Sequence, residues 1–316
     1  MRVVLWATPA SKPAMEKRFG RVKGLDLVSV DSADAVIAAL PQAEVLALQV
    51  FNYTPAVAQA VREGHAPKLR LIQILTVGYD RLQKEKIPPQ IMVATAGDSL
   101  GTVVAEHAIG LTLALLRRTP EMLAMQARRH WGNDVMGRMG SLDGRTVAVV
   151  GFGAIGREIG RLSQAFGARS IGLSRSATPH PSGDEVRSMT RLDETLAEAD
   201  VVAVATPLTD ETRGLFDAER FARMKRGALF INIARGPVVV TEALIAALES
   251  GHLAGAGLDV ADPEPPPPDH PLWTAPNLIL TPHCAVAGGA YRLAEFVGDN
   301  LERMMRGEQP HSVVAL

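Results

Sequence analysis

Val147-Ala-Val-Val-Gly151-Phe-Gly153-Ala-Ile-Gly156 is the most informative stretch of the chain. An apolar, β-branched run leads directly into G-x-G-x-x-G, and a segment with helical periodicity continues to Phe166. Strand before and helix after give the glycines their meaning. Gly151 permits the tight turn, Gly153 lets backbone approach a pyrophosphate, and Gly156 allows the helix to pack closely on the strand, its N-terminus facing the phosphates. Gly151, Gly153, Ala154, Ile155 and Gly156 are therefore expected to hold a dinucleotide; a tight turn without a ligand is the competing reading.

Working outward, short β-branched runs alternate with helix-period segments on both sides of the turn. Downstream of Gly144 the expected strands are 146–150, 170–173, 201–205, 228–233, 256–260 and 278–280. Six strands with helical connections suit a doubly wound parallel sheet. Upstream, runs at 3–6, 27–30, 45–48, 71–75 and 91–94 alternate with helical segments in the same way, which predicts a second parallel sheet. Val103 to Leu116 is apolar on every side, so its helix should be buried between layers or against another subunit, with Pro120 ending it or starting the next. The closing segment, Gly289 to Arg306, is amphipathic and reads as a helix returning to the first domain.

Composition narrows the function. At 316 residues, 47% hydrophobic and 21% charged, the chain can bury the cores of two domains. Its net charge of -1 offers no field to attract nucleic acid or an anionic membrane. The single cysteine, Cys284, cannot form an intrachain disulfide or a Cys-rich metal site, and suits a reducing, cytoplasmic setting. The start is too short in apolar residues for a signal peptide, and Ser99 to Leu116 is interrupted by Glu106 and His107, so no targeting or membrane segment is expected.

An NAD site places Asp or Glu about 20 residues beyond the glycine turn to hold the ribose. Between Glu158 and Asp184 there is no acidic residue, and the second strand runs into Ser174-Arg175-Ser176. Hydroxyls and a guanidinium at that turn suit a 2′-phosphate, so NADPH is expected in preference to NADH, with NAD possible. As a plain alternative, Arg175 is a solvated loop residue.

Three polar motifs each follow an apolar run: Asn232-Ile-Ala-Arg235-Gly236, Asp259-Val-Ala-Asp-Pro-Glu264-Pro and Thr281-Pro-His283-Cys284. Ligands of open parallel sheets bind at the carboxyl ends of strands, so the three should converge there. A lone histidine in such a loop is more often structural, but the three residues together supply what reduction of a 2-oxo acid demands. Hydride arriving at a carbonyl carbon leaves negative charge on oxygen. Arg235 can stabilise that charge and bind the substrate carboxylate. His283 can give the proton, and Glu264 can favour its charged form and orient the ring. Cys284 reads as a small core filler, because hydride chemistry needs no nucleophile.

With these motifs in place, the chain resembles the D-isomer-specific 2-hydroxyacid dehydrogenases, and within them the NADP-preferring glyoxylate and hydroxypyruvate reductases. The likeness runs through Thr76-Val-Gly-Tyr-Asp80, Val104-Ala-Glu-His107, the glycine turn, Thr206-Pro-Leu-Thr-Asp-Glu-Thr212 and the three polar motifs. It implies a flavodoxin-like substrate domain, 1–98 with the returning segment 287–316, a Rossmann-type cofactor domain, 99–286, a cleft between them, and a homodimer. It implies catalytic roles for Arg235, Glu264 and His283, and contact of the Val77 and Gly78 backbone with the substrate carboxylate. Asp259 would meet the nicotinamide carboxamide, Thr206 and Pro207 the adenine side, and Ala234 the nicotinamide side. Glu106 and His107 fit the pattern as structural residues rather than proton donors. One departure is Val286, where many members carry a polar residue.

Two other functions compete. The family includes corepressors that sense nucleotides without turnover, although the chain lacks long added tails. Formate, phosphite and phosphoglycerate dehydrogenases share the architecture, the last disfavoured by a chain that stops at Leu316. Substrate size is expected to be set near Val50-Phe-Asn-Tyr53, Leu75 and Trp131.

Overall fold

The computed structural model describes residues 1–79, 81–82 and 85–315. The chain divides into two compact units, Met1–Leu100 with Ala287–Leu316, and Gly101–Val286.

In the first unit, β1 (Arg2–Trp6), α1 (Lys12–Phe19), β2 (Asp26–Ser29), α2 (Ala33–Ala39), β3 (Val45–Leu48), α3 (Pro55–Arg62), β4 (Leu71–Ile74) and β5 (Met92–Ala94) alternate as expected. The sheet is parallel in the order β2-β1-β3-β4-β5, the flavodoxin-like sequence of strands. β3 and β4 are buried along their whole length, because helices cover both faces.

The second unit opens with α4 (Gly101–Leu116) and α5 (Thr119–Ala127), the latter carrying Pro120 in its first turn. β6 (Thr146–Val150), α6 (Ala154–Ala165), β7 (Arg169–Ser174), β8 (Glu185–Ser188), α7 (Leu192–Glu198), β9 (Val201–Val204), α8 (Ala218–Arg223), β10 (Leu229–Asn232), α9 (Thr241–Glu249), β11 (Gly255–Leu258) and β12 (Leu278–Leu280) follow. The sheet is parallel in the order β12-β11-β10-β9-β6-β7-β8, a Rossmann-type arrangement that reverses direction at β6. The two α/β fold classes read from the sequence are borne out.

The strand count is not. The sheet has seven strands, and the missing one is β8, Glu185-Val-Arg-Ser. Two of its four residues are charged, so it shows no apolar run. It is held by ions instead: Arg187, 6% exposed, donates to Glu185 at 2.6 and 2.8 Å, to Thr195 at 3.1 Å and to Glu198. The Arg187 guanidinium holds the Glu185 carboxyl down at about 2.

The long apolar segment is a core helix. Gly97–Leu116 has the length and composition of a membrane span. Within the second unit, however, α4 buries Val104, Ala105, Ala108, Ile109, Leu111 and Leu115 against α6, β10 and β11. Its open side shows Glu106 and Gly110, so much of the cover it needs comes from its own unit.

The last helix, α10 (Ala290–Met305), packs on α1 in the first unit, as its amphipathic pattern predicts. Arg18 bridges to Glu295 at 2.8 Å and Glu302 at 2.9 Å. Asn300, fully buried, donates to Gln73 Oε1 at 2.9 Å and accepts from His311 N at 2.7 Å, which ties the helix to the sheet.

Candidate active site

Three loops of the second unit emerge together. β10, β11 and β12 pair in parallel with Asn232 opposite Leu258 and Leu258 opposite Leu280. The segments leaving their carboxyl ends therefore start side by side at one edge of the sheet.

Arg235 is placed by its neighbours. Asn232, 1% exposed, accepts from Ala234 N at 3.0 Å and donates from Nδ2 to Arg235 O at 3.1 Å, folding the turn back on the strand. The half-buried guanidinium donates from Nη1 to Ala234 O at 2.7 Å. Gly236 follows, and a Cβ there would collide with the carbonyl of Ala261. Asn232 and Gly236 carried no role in the sequence; Asn232 shapes the turn itself, and Gly236 lets it lie against the loop after β11 that leads to Glu264.

Glu264 and His283 meet across two loops, Nδ1 to Oε1, at 2.6 Å. Both are part-exposed, at 42% and 45%. With a carboxylate as acceptor, Nδ1 carries the proton of this bond. That leaves Nε2 as the ring atom able to exchange a proton with a ligand. His283 sits in the left-handed backbone region at φ 52.

Asp259 is 2% exposed and pinned by the chain around His283. Oδ1 accepts from the Thr281 hydroxyl at 2.6 Å and from Cys284 N at 2.9 Å, and Oδ2 accepts from Ala285 N at 2.9 Å. His107 Nε2, from α4, lies 3.0 Å from Thr281 Oγ1 and 3.4 Å from Asp259 Oδ1. The donor atoms of His107, Asp259 and Cys284 lie within 4.8 Å of one another, a spacing a metal ion could use. The imidazole and carboxylate atoms are already committed to protein hydrogen bonds, so the group is a clamp on the loop. Burial and the Asp259 carboxylate push the Cys284 thiol up, the reverse of what activates a cysteine nucleophile.

The glycine turn fits a dinucleotide. Gly151 has φ 95, and a Cβ there would lie 2.6 Å from Thr206 N, so turn and β9 end are in contact. A Cβ on Gly156 would strike Gly151 O, whereas one on Gly153 would meet no protein atom within 4 Å. That is the side from which backbone can be approached. α6 begins at Ala154 with no side-chain cap, so Ile155 and its neighbours offer their N–H groups there. Gly151 N and Phe152 N both bond to Leu173 O at 3.0 Å, which sets Ser174, Arg175 and Ser176 beside the turn. Arg175 and Ser176 are exposed, and Ser174 Oγ accepts from Ala177 N at 3.1 Å. Asp184, the next acid in the chain, is spent on Ser170 N at 2.7 Å. Thr206 and Ala234 are buried and Pro207 is exposed, its carbonyl accepting from Thr212 at 2.7 Å.

The first unit carries the remaining residues. Val77 and Gly78 lie in the loop after β4, where Thr76 Oγ1 donates to Gly78 O at 2.9 Å; Asp80 of the same motif lies outside the described residues. The segments expected to set substrate size differ in exposure. Leu75 is 1% exposed and Tyr53 7%, because both fill the first unit's core, while Phe51 is half exposed and Trp131, in the second unit, fully so.

Residues 109–285 match the family profile described as the NAD binding domain of the D-isomer specific 2-hydroxyacid dehydrogenases. The chain belongs to this family. The dehydrogenase is 36% identical over 265 residues to a glyoxylate reductase of Thermococcus kodakarensis, covering 79% of this chain and 77% of that one. It is 37% identical to a glyoxylate/hydroxypyruvate reductase B of Escherichia fergusonii, covering 76% of each. A solved family member from Xanthobacter autotrophicus, in complex with NADPH, superposes with a TM-score of 0.82 at 29% identity, covering 99% of this chain and 97% of that one. Solved structures of this fold include complexes with NADP and with NAD. The dehydrogenase is thus an oxidoreductase that acts on a CH–OH group.

Proposed function

We propose that the enzyme reduces a small 2-oxo acid, glyoxylate or hydroxypyruvate, to the D-2-hydroxy acid (for glyoxylate the achiral glycolate), and that it prefers NADPH to NADH. The observation that carries this reading is the Glu264–His283 pair, set by adjoining strands beside Arg235 on a sheet with a dinucleotide-type glycine turn. A nicotinamide dinucleotide held at Gly151, Gly153 and Gly156 would supply the hydride to the carbonyl carbon. As that bond forms, the carbonyl π pair moves to oxygen, where the Arg235 guanidinium meets the growing charge. His283 delivers a proton from Nε2 to the same oxygen, and Glu264 holds Nδ1 so that Nε2 faces outward to the substrate. Arg235 also takes the substrate carboxylate. Asp259 and Ala234 serve the nicotinamide side, Thr206 and Pro207 the adenine side; Val77 and Gly78, on the first unit, are assigned to the substrate carboxylate from family resemblance. The two reductases named above, to which the chain is similar, favour an enzyme over a corepressor.

NADPH preference follows from the exposed Arg175 between two serines beside the glycine turn, and from the absence of an acid there. Each charge-assisted hydrogen bond to a 2′-phosphate contributes about 1.5 to 3 kcal/mol, or roughly ten- to a hundredfold in affinity. Steady-state rates with glyoxylate should give a Michaelis constant for NADPH at least about tenfold below that for NADH, and Arg175→Asp should erase or invert the ratio. Equal use of both cofactors by wild type, or an unchanged ratio in the variant, would refute the assignment.

The enzyme is further proposed to be a cytoplasmic homodimer, with no nucleic-acid or membrane partner. Its supporting feature is not α4, whose cover is largely internal, but the arm beyond it. Met122, Leu123, Trp131 and Met136 are all exposed within this one segment, and grouped exposed apolar side chains are characteristic of protein–protein contact surfaces. Sedimentation should give twice the chain mass at micromolar concentration, and Leu123→Asp with Trp131→Asp should shift it toward monomer. A monomeric wild type contradicts the proposal.

A further inference from the structure

His107 belongs to a polar chain that proton delivery by His283 does not itself use. The imidazole is on α4, with 23% of its side chain exposed, and Nε2 is 3.0 Å from Thr281 Oγ1. Thr281 has one hydroxyl proton. Its neighbours are Asp259 Oδ1 at 2.6 Å and Leu258 O at 3.3 Å, both acceptors. The proton is directed to one of these, so the hydroxyl oxygen is left to accept, and His107 Nε2 is the donor. The order is therefore His107 to Thr281 to Asp259.

What this chain holds still is the residue between its two ends. Thr281 stands two positions before His283. Cys284 N and Ala285 N, the two amides after it, both end on Asp259 at 2.9 Å. His283 N itself bonds to Thr281 O at 3.0 Å, with φ 52. A carboxylate that grips both sides of a left-handed residue fixes where its side chain starts, and Asp259 can do so only while its own rotamer is fixed. Thr281 has three staggered rotamers, and the His107 donor selects the one that points its proton at Asp259.

We propose that His107 is a positioning residue for the reduction. Through Thr281 it locks the Asp259 carboxylate, and through Asp259 it holds the His283 loop in the conformation from which Nε2 meets the substrate oxygen. This rests on the proposed function only in taking His283 as the proton donor. The role is distinct from bulk: an apolar side chain of similar size on α4 would fill the space and leave Thr281 free to turn.

The test is a double-mutant cycle read as kcat and KM. His107→Leu and Thr281→Val should each lower kcat for glyoxylate reduction about tenfold, the size of one lost hydrogen bond at about 1.4 kcal/mol per tenfold. The KM for glyoxylate should stay within about twofold, since Arg235 holds the carboxylate. His107→Gln, which returns a donor at the reach of Nε2, should recover most of the rate, and the double variant should be no slower than the slower single variant. A purely structural role would lower the melting temperature and leave kcat per folded molecule unchanged. Unchanged kcat in both single variants, equal losses in His107→Leu and His107→Gln, or multiplied losses in the double variant would each overturn the proposal. If His107→Leu does not fold, Thr281→Val against Thr281→Ser decides: a slow Val variant with a normal Ser variant supports it, and two normal rates overturn it. Wild-type turnover is the control, because its absence would count against the proposed function and not against His107.

Discussion

Arg235→Ala is expected to leave the fold intact and lower turnover of any 2-oxo acid by about a hundred- to a thousandfold, the usual cost of removing one donor aimed at developing charge. The turn at residue 235 keeps backbone anchors besides the bond from Arg235 Nη1 to Ala234 O. Asn232 folds the turn through Ala234 N and Arg235 O, and Gly236 seats it on the Ala261 carbonyl. Alanine loses the side-chain bond and keeps these anchors. The loss should fall on kcat as well as on KM, because the guanidinium serves the carboxylate in the ground state and the oxygen in the transition state. Arg235→Lys should recover little, since an ammonium cannot serve both oxygens in the bidentate manner of a guanidinium. Retention of more than about a third of wild-type turnover by the alanine variant would remove Arg235 from the chemistry, where loss of such a donor costs two orders or more.

His283→Asn is the second large effect. Asparagine tolerates the left-handed backbone that residue 283 adopts at φ 52, so the loop should survive the change. It cannot supply a proton, and general acid catalysis of this kind contributes about a hundred- to ten-thousandfold. Dinucleotide affinity should change little, since the glycine turn and the Ser174 to Ser176 turn lie at other strand ends. Fluorescence titration of NADPH gives the affinity and rapid mixing gives the rate. A variant that binds NADPH normally and reduces glyoxylate at the wild-type rate would show that the proton comes from elsewhere. Weak NADPH binding would show that His283 serves the cofactor rather than the substrate.

The residues differ in how plainly they announce these roles. Val147 to Gly156 is readable because a strand, a turn that forbids side chains and a helix start must follow in that order, and each leaves a compositional mark. Arg235, Glu264 and His283 are readable for a related reason: charged groups directly after apolar strands have few structural uses. β8 is not readable. Its strand state depends on pairing with β7 and on the ion pairs of Arg187 with Glu185 and Glu198, which lie at separations of 2 and 11 residues and look like a solvated surface. The Asp259 clamp escapes for a different reason. Two of its bonds go to backbone amides, which every residue but proline has, so Cys284 and Ala285 carry no signal of their role. The His107 to Thr281 contact spans 174 residues, so His107 could be read as a structural residue of its helix but its partner in the loop before His283 could not. Burial is what separates Tyr53 and Leu75, which fill the core, from the exposed Phe51 and Trp131, since large side chains in a loop and in a core look alike in sequence.

Isotope tracing follows the hydride from cofactor to 2-oxo acid, with His283 protonating the oxygen. NADPH carrying deuterium at the transferable C4 position should be mixed with the enzyme and glyoxylate, and the product examined by mass spectrometry and proton resonance. One deuterium should be bound to C2 of glycolate for each NADPH consumed, with the rate lost in His283→Asn and Arg235→Ala. No consumption of NADPH or NADH with glyoxylate or hydroxypyruvate, or a product without deuterium at C2, would contradict this chemistry.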